Sequence, residues 1–305
     1  YHLYDMSVCK RSPEKNDCGL NSNTVFKNMG CSFARFLLLI FIFFYPVFLN
    51  AQQRLDSLRN VLLHAGSLPE KCNAIADFSF VFSANNPDSA MLLAQQGVAL
   101  AQKIRNDSDL ANCYNSVGWC YNRLGNKDSA ELFLRKAQYI YHTIKNGNEE
   151  GKSLVNLATI YNDNHDYPKA LNTLITARPL LENAQNEATL GYLDKTIGVI
   201  YREQGMYNES AKYFRSAIAT FEKLNKTTYL ADAYTSYGSV FWYQGNYDSA
   251  LYYYRKAYSI FTNQSKYISS AAFAAEDIAN AFYKKANAKN NNPYIDSAYH
   301  YYTIS

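Results

Sequence analysis

Residues 125–137 read GNKDSAELFLRKA, and residues 245–257 read GNYDSALYYYRKA. Gly, Asn, Asp-Ser-Ala and Arg-Lys-Ala stand in register, so the question is whether the phrase is a duplicated site or a repeated piece of fold. Ala130, Phe133, Leu134, Ala137 and Ile140 fall on one stripe at helical spacing. Gly125 suits the left-handed residue that ends a preceding helix. Asn126 and Asp128 offer side-chain oxygens to the free N–H groups at the start of the next one. Arg135 and Lys136 point away from the stripe, as a solvated face does. The phrase therefore opens a helix rather than a catalytic centre.

Working outward, Gly118, Ala158, Gly198 and Gly238 form a column of small residues spaced 40 apart. Three residues beyond each stand Tyr121, Tyr161, Tyr201 and Phe241, and twelve beyond stand Ala130, Ala170, Ser210 and Ala250. Nineteen beyond stand Ala137, Ala177, Ala217 and Ala257. Periods of this length signal a stacked-repeat architecture. Each unit reads as two antiparallel helices, A and B, joined by a short turn. The small residue of helix A lets helix B approach, and the bulky residues fill the gaps.

This pattern resembles the tetratricopeptide repeat (TPR) family: a small residue and then an aromatic in helix A, a turn glycine (Gly125, Gly205, Gly245), and Leu134, Leu174, Phe214 and Tyr254 in helix B. The resemblance implies an all-α fold, a right-handed superhelical solenoid of antiparallel helix pairs. The family's usual period is 34 residues. The extra residues here are assigned to helix B and its following turn. Ser210 in place of Ala, and His165 at the turn-glycine position, are read as local loosening. The array is placed at 67–305, about six units with the last incomplete. Ser67-Leu-Pro-Glu70 is read as a capping box, and residues 52–66 as an N-terminal capping helix. About seven extra residues around NAKNNNP (287–293) are expected to lengthen the turn of the final unit, and the chain is read as a fragment of a longer protein.

The N-terminal region reads differently. Residues 1–28 are polar, aperiodic and expected to be unstructured. Met29 to Ala51 carries Arg35, the apolar run FLLLIFIFFYPVFL (36–49) and a small residue, Ala51, which together read as a secretory signal peptide cut after Ala51. An uncleaved membrane anchor is the alternative, although the run is shorter than the roughly 20 residues a span needs. The net charge is +4, and residues 52–305 hold 25 basic against 23 acidic side chains with no basic stripe. Nucleic acid is therefore not an expected partner. Of six Cys, Cys72, Cys113 and Cys120 lie beyond the signal segment and read as small buried apolar residues.

Chemistry-bearing motifs are missing from the sequence. His64, His142, His165 and His300 are scattered without metal spacing, and there is no GxSxG, GxxxxGK or GxGxxG. No catalytic residue, metal or cofactor is expected in this segment. The TPR resemblance implies a binding role, with positions two, five, nine and twelve of helix A facing a concave groove. These are Asn112, Asn115, Trp119 and Asn122; Lys152, Val155, Thr159 and Asn162; Tyr192, Lys195, Val199 and Arg202; and Asp232, Thr235, Ser239 and Trp242. Aromatic anchors, amides and basic side chains suit a peptide or protein segment. The family's carboxylate-clamp pattern is not present, since Lys195 is followed by Val199. The expected function is a non-catalytic peptide- or protein-binding scaffold exported to the periplasm or cell envelope. The alternative is the extracytoplasmic sensor region of a longer signalling protein, a TPR-containing histidine kinase or helix-turn-helix regulator.

Overall fold

Helices start at Asp107, Lys127, Gly147, Tyr167, Glu187, Tyr207, Thr227 and Tyr247, one every twenty residues. The turns between them explain the spacing. At the first, Gly125 has φ 77° and its N–H donates to the Asn122 carbonyl, while the Asn126 N–H reaches back to the Tyr121 carbonyl. This is the Schellman arrangement, which satisfies the last carbonyls of a helix. Asn126 then turns its own side chain onto the Ser129 N–H at 3.1 Å and becomes the N-cap of the next helix. One residue ends one helix and begins the next, so three residues suffice for the turn. Asp128 lies inside the first turn, where its charge complements the helix dipole, and Asn126 does the capping.

The computed structural model describes residues 66–84, 86–263, 267–289 and 292–304, all within a unit spanning Ser57–Ser305. The upstream segment, the expected signal segment 29–51 and nearly all of the expected capping helix 52–66 lie outside the described residues. Among the described residues there are twelve helices: α1 (Leu68–Phe82), α2 (Pro87–Ile104), α3 (Asp107–Arg123), α4 (Lys127–Thr143), α5 (Gly147–Asp163), α6 (Tyr167–Asn183), α7 (Glu187–Glu203), α8 (Tyr207–Lys223), α9 (Thr227–Tyr243), α10 (Tyr247–Thr262), α11 (Ile268–Lys289) and α12 (Asn292–Ile304). Odd-numbered helices are A and even-numbered ones B. Each packs on its chain neighbours, and each of α1, α3, α5 and α7 also touches the next helix A. The result is an all-α solenoid of helix pairs. Ser67 and Glu70 form the capping box of α1.

The long period is not a property of helix B. Helices α3 to α9 are all 17 residues long, so A and B share the extra length equally. Helices A begin at residues 107, 147, 187 and 227, four residues before the family pattern takes hold at 111, 151, 191 and 231. That added turn matters for the site below.

The small-residue column is a packing requirement. A Cβ on Gly118 would stand 2.8 Å from Leu134 Cγ, and one on Gly238 2.7 Å from the Tyr254 ring. Leu134, Leu174 and Phe214 are fully buried opposite this column. The two expected loose points are not loose. Ser210 is fully buried and its hydroxyl donates to the Gly198 carbonyl at 2.7 Å. His165 adopts φ 59°, the same left-handed turn that Gly125 makes.

One further feature differs from the expectation. Residues 284–289 continue α11 to Lys289 instead of lengthening a turn, because KKANAK is rich in Lys and Ala, good helix formers. Pro179 sits inside α6. It is exposed, so the carbonyl of Ile175, left without an N–H donor, faces water, the place where that loss costs least. The three cysteines are buried and free, with Cys72 and Cys113 bringing their sulfurs to 3.5 Å between α1 and α3.

Candidate functional site

The helix A face carries two cavities, which take in half of the sixteen expected groove residues: Trp119, Lys152, Val155 and Tyr192 line one, and Asn122, Asn162, Val199 and Arg202 the other. The first, about 420 Å³, is walled by Phe80 of α1, Trp119 of α3, Val155 of α5, Tyr192 of α7 and Tyr229 of α9, with Lys152 and Arg123 as its charged members. The second, about 590 Å³, lies toward the C-terminal ends of α3, α5 and α7 and includes Asn122, Asn162, Val199 and Arg202. Arg123 lines both. Five consecutive helices A thus build one surface, the walls of the first cavity stepping back toward the helix N-terminus from Trp119 to Val155, Tyr192 and Tyr229.

The first cavity is aromatic because of how its walls brace one another. Phe80 stacks on Trp119 with ring centres 5.2 Å apart, and Tyr192 meets Tyr229 edge-on at 6.5 Å. The Arg123 guanidinium lies 5.3 Å over the Trp119 ring and the Lys195 ammonium 4.6 Å over Tyr192, geometries in which a cation is attracted to the ring face. Lys152 donates to Glu149 at 2.7 Å, a partly exposed pair of small net worth. Trp119 itself is only 8% exposed, so it forms the cavity floor and part of the core at once.

Several of the expected groove residues are occupied in holding units together. Asn115 accepts the Ser153 hydroxyl at 2.8 Å, and Asn122 donates to Asp163 at 3.2 Å. Arg202 donates to Ser239 at 2.6 Å and to Glu203 at 2.5 Å. Asn112 accepts from Tyr141 and donates to Asn73, while Thr159 returns its hydroxyl to the Val155 carbonyl. The Thr235 hydroxyl is covered and has no partner among the described residues. Burial pushes the Asp232 carboxyl above its ordinary range, with Lys195 pulling the other way. Trp242 lies in neither cavity; it packs against the cluster around Phe282 and meets Tyr243 edge-on at 5.0 Å.

Eight lining residues of the first cavity escaped the sequence reading: Phe80, Val81, Ala84, Arg123, Asn156, Ala188, Thr189 and Tyr229. Ala188, Thr189 and Tyr229 come from the added first turn of helix A, which precedes the family's first groove position. The signal for them was the twenty-residue spacing of the turns, from which the helix starts could have been counted. Phe80 lies in the divergent first unit, outside the repeated columns.

Among the described residues no helix is long and apolar enough to cross a membrane. Residues 111–141 and 189–263 match family models described as tetratricopeptide repeat. No curated protein sequence matches the chain. Among solved structures, BtubC (BKLC) from P. vanneervenii is similar at 14% identity and TM-score 0.59, covering 71% of this chain and 91% of that one. A Rap protein complexed with Competence and Sporulation Factor is similar at 15% identity and TM-score 0.56, covering 77% of this chain and 73% of that one. A Signal Transduction ATPase with Numerous Domains carrying a tetratricopeptide repeat sensor, from Pyrococcus horikoshii, is similar at 15% identity and TM-score 0.59, and the alignment covers 90% of this chain but 40% of that one. These neighbours share the fold. With its matched repeats, three-residue turns and stacked helix pairs, the chain carries tetratricopeptide repeats at 111–141 and 189–263 within a tetratricopeptide-like helical solenoid.

Proposed function

We propose that this protein is a non-catalytic scaffold that binds a peptide or protein segment on its helix A face. The observation that carries the reading is the aromatic cavity shared by α1, α3, α5, α7 and α9. A water-facing pocket walled by Phe, Trp and Tyr side chains offers a partner the kind of anchor site that dominates binding energy. The Rap protein solved with its factor supports the reading by analogy of fold alone. The test is a photocrosslinking amino acid placed at Tyr192, in the cavity, and at Tyr139, 68% exposed on helix B. Adducts in cells should form from position 192 and not from 139. Equal adducts from both, or none from 192, would overturn the assignment.

Export to the envelope forms part of the same proposal, supported by the apolar run 36–49 behind Arg35. N-terminal sequencing of the mature chain should begin at Gln52, and a chain retaining residues 36–49 would indicate an anchor instead. A sensor role within a longer signalling protein is the second reading. It is favoured by the same run standing directly ahead of a tetratricopeptide array. A membrane span and a kinase or DNA-binding module encoded downstream would establish it, and a stop codon following a polar capping helix would remove it.

A further inference from the structure

We infer that the segment taken by the helix A face is acidic: a bulky apolar side chain enters the aromatic cavity and a neighbouring Asp or Glu meets Arg123. This rests on the binding role proposed above and adds the chemistry of the partner. Two observations carry it. The charged residues lining the cavity are Arg123 and Lys152, both cations, with no carboxylate among them. Of the two, Lys152 is already engaged by Glu149, whereas Arg123 is exposed and makes no ion pair with a described residue.

The position of Arg123 gives it the reading role. It lies one helical turn beyond Trp119 on α3, about 6 Å along the axis, and its guanidinium is steadied over the Trp119 ring. It borders both cavities, so it stands on the path from the apolar pocket to the polar one. An extended chain advances about 3.3 Å per residue, which places the acid one to three residues from the anchor. The other cation of the second cavity's helix A face, Arg202, is held by Ser239 and Glu203, and Lys127 donates to the Asp163 carbonyl. Arg123 is therefore the guanidinium left to form a bidentate pair with an incoming carboxylate. The carboxylates that line the second cavity, Asp163 and Glu203, are themselves held by Asn122 and Arg202.

The test is selection from a phage-displayed random dodecapeptide library on the full chain, followed by anisotropy measurements with the enriched peptides made synthetically. Enriched sequences should pair Phe, Trp, Tyr, Leu or Met with Asp or Glu within three positions. Ala188→Trp, which fills the cavity from a partly exposed wall position, should weaken their binding tenfold or more. Arg123→Glu should do the same, and Arg123→Lys should lose less. Circular dichroism checks that each variant keeps its helices. Enriched peptides without an acid, or indifferent to Arg123→Glu yet lost in Ala188→Trp, would overturn this inference and leave the binding role standing. If nothing is enriched that Ala188→Trp abolishes, both fail.

Discussion

Gly238 shows how much of this fold is decided by the absence of one carbon. Its missing Cβ would lie 2.7 Å from the Tyr254 ring and 3.3 Å from the Ala250 carbonyl. Tyr254 is 4% exposed and cannot step aside into solvent. Gly238→Ala should therefore destabilise the protein by about 1–3 kcal/mol, despite the higher helix propensity of Ala, because overpacking outweighs it. Urea titration followed by circular dichroism should show a lower midpoint at unchanged slope; an unchanged midpoint would mean the helices separate at no cost. The column containing Gly238 was legible in the sequence because a close approach leaves a small residue at every period. What happens at Ser210 was not. A hydroxyl among alanines reads as a defect until the Gly198 carbonyl 2.7 Å away is seen to accept from it. Likewise Arg123 gave no periodic signal, since Asp163, Glu203 and Tyr243 occupy its register in the next units.

Among the helices, the same turn is built from different residues, which isolates the value of its cap. Asp166 and Met206 precede α6 and α8 with the same backbone angles, φ −85° and ψ 66°. Asp166 caps the Lys169 N–H, whereas Met206 makes no side-chain cap. Met206→Asp should restore the bond without moving the chain and add about 1 kcal/mol of stability, read as a higher melting temperature; no rise would mean that tertiary packing alone sets this helix start. Within α6, Pro179 removes one hydrogen bond from the ladder on the exposed side. Pro179→Ala should stabilise by about 1–3 kcal/mol, less than the full helix-interior penalty because water already serves the freed carbonyl. A loss of stability would show that the ring of Pro179 contributes packing or backbone restraint that α6 needs. Helix existence was readable from periodicity, but helix length was not. Only the geometry of the turns shows that A and B share the extra residues, and with them the walls supplied by Ala188, Thr189 and Tyr229.

At the scale of the array, each unit is tied to the next by side chains about one period apart: Asn73 to Asp109, Ser153 to Asn115, Arg202 to Ser239 and Lys285 to Asp248. Stability in such a structure is nearly a sum of units and nearest-neighbour interfaces, so a perturbation in one pair should be felt locally. Asp277 of α11 provides the means. Burial, with Glu276 beside it, pushes its carboxyl up to about 6, above the ordinary value of about 3.9. The folded state thus holds this proton more tightly than the unfolded chain does. The stability it contributes is present below about pH 4 and is lost as pH rises through 6. Amide exchange in α11 and α12, corrected for its intrinsic pH dependence, should therefore be better protected at pH 5 than at pH 7. In Asp277→Asn that difference should shrink and protection at pH 7 should rise, while α3 to α6 remain as they were. Equal change along the whole array would mean the repeats unfold as one body, and no change in α11 and α12 would mean Asp277 titrates as it does in water. A local response would also place the variable stability at the opposite end of the chain from the Phe80–Trp119 cavity, leaving the binding face to act as a rigid surface.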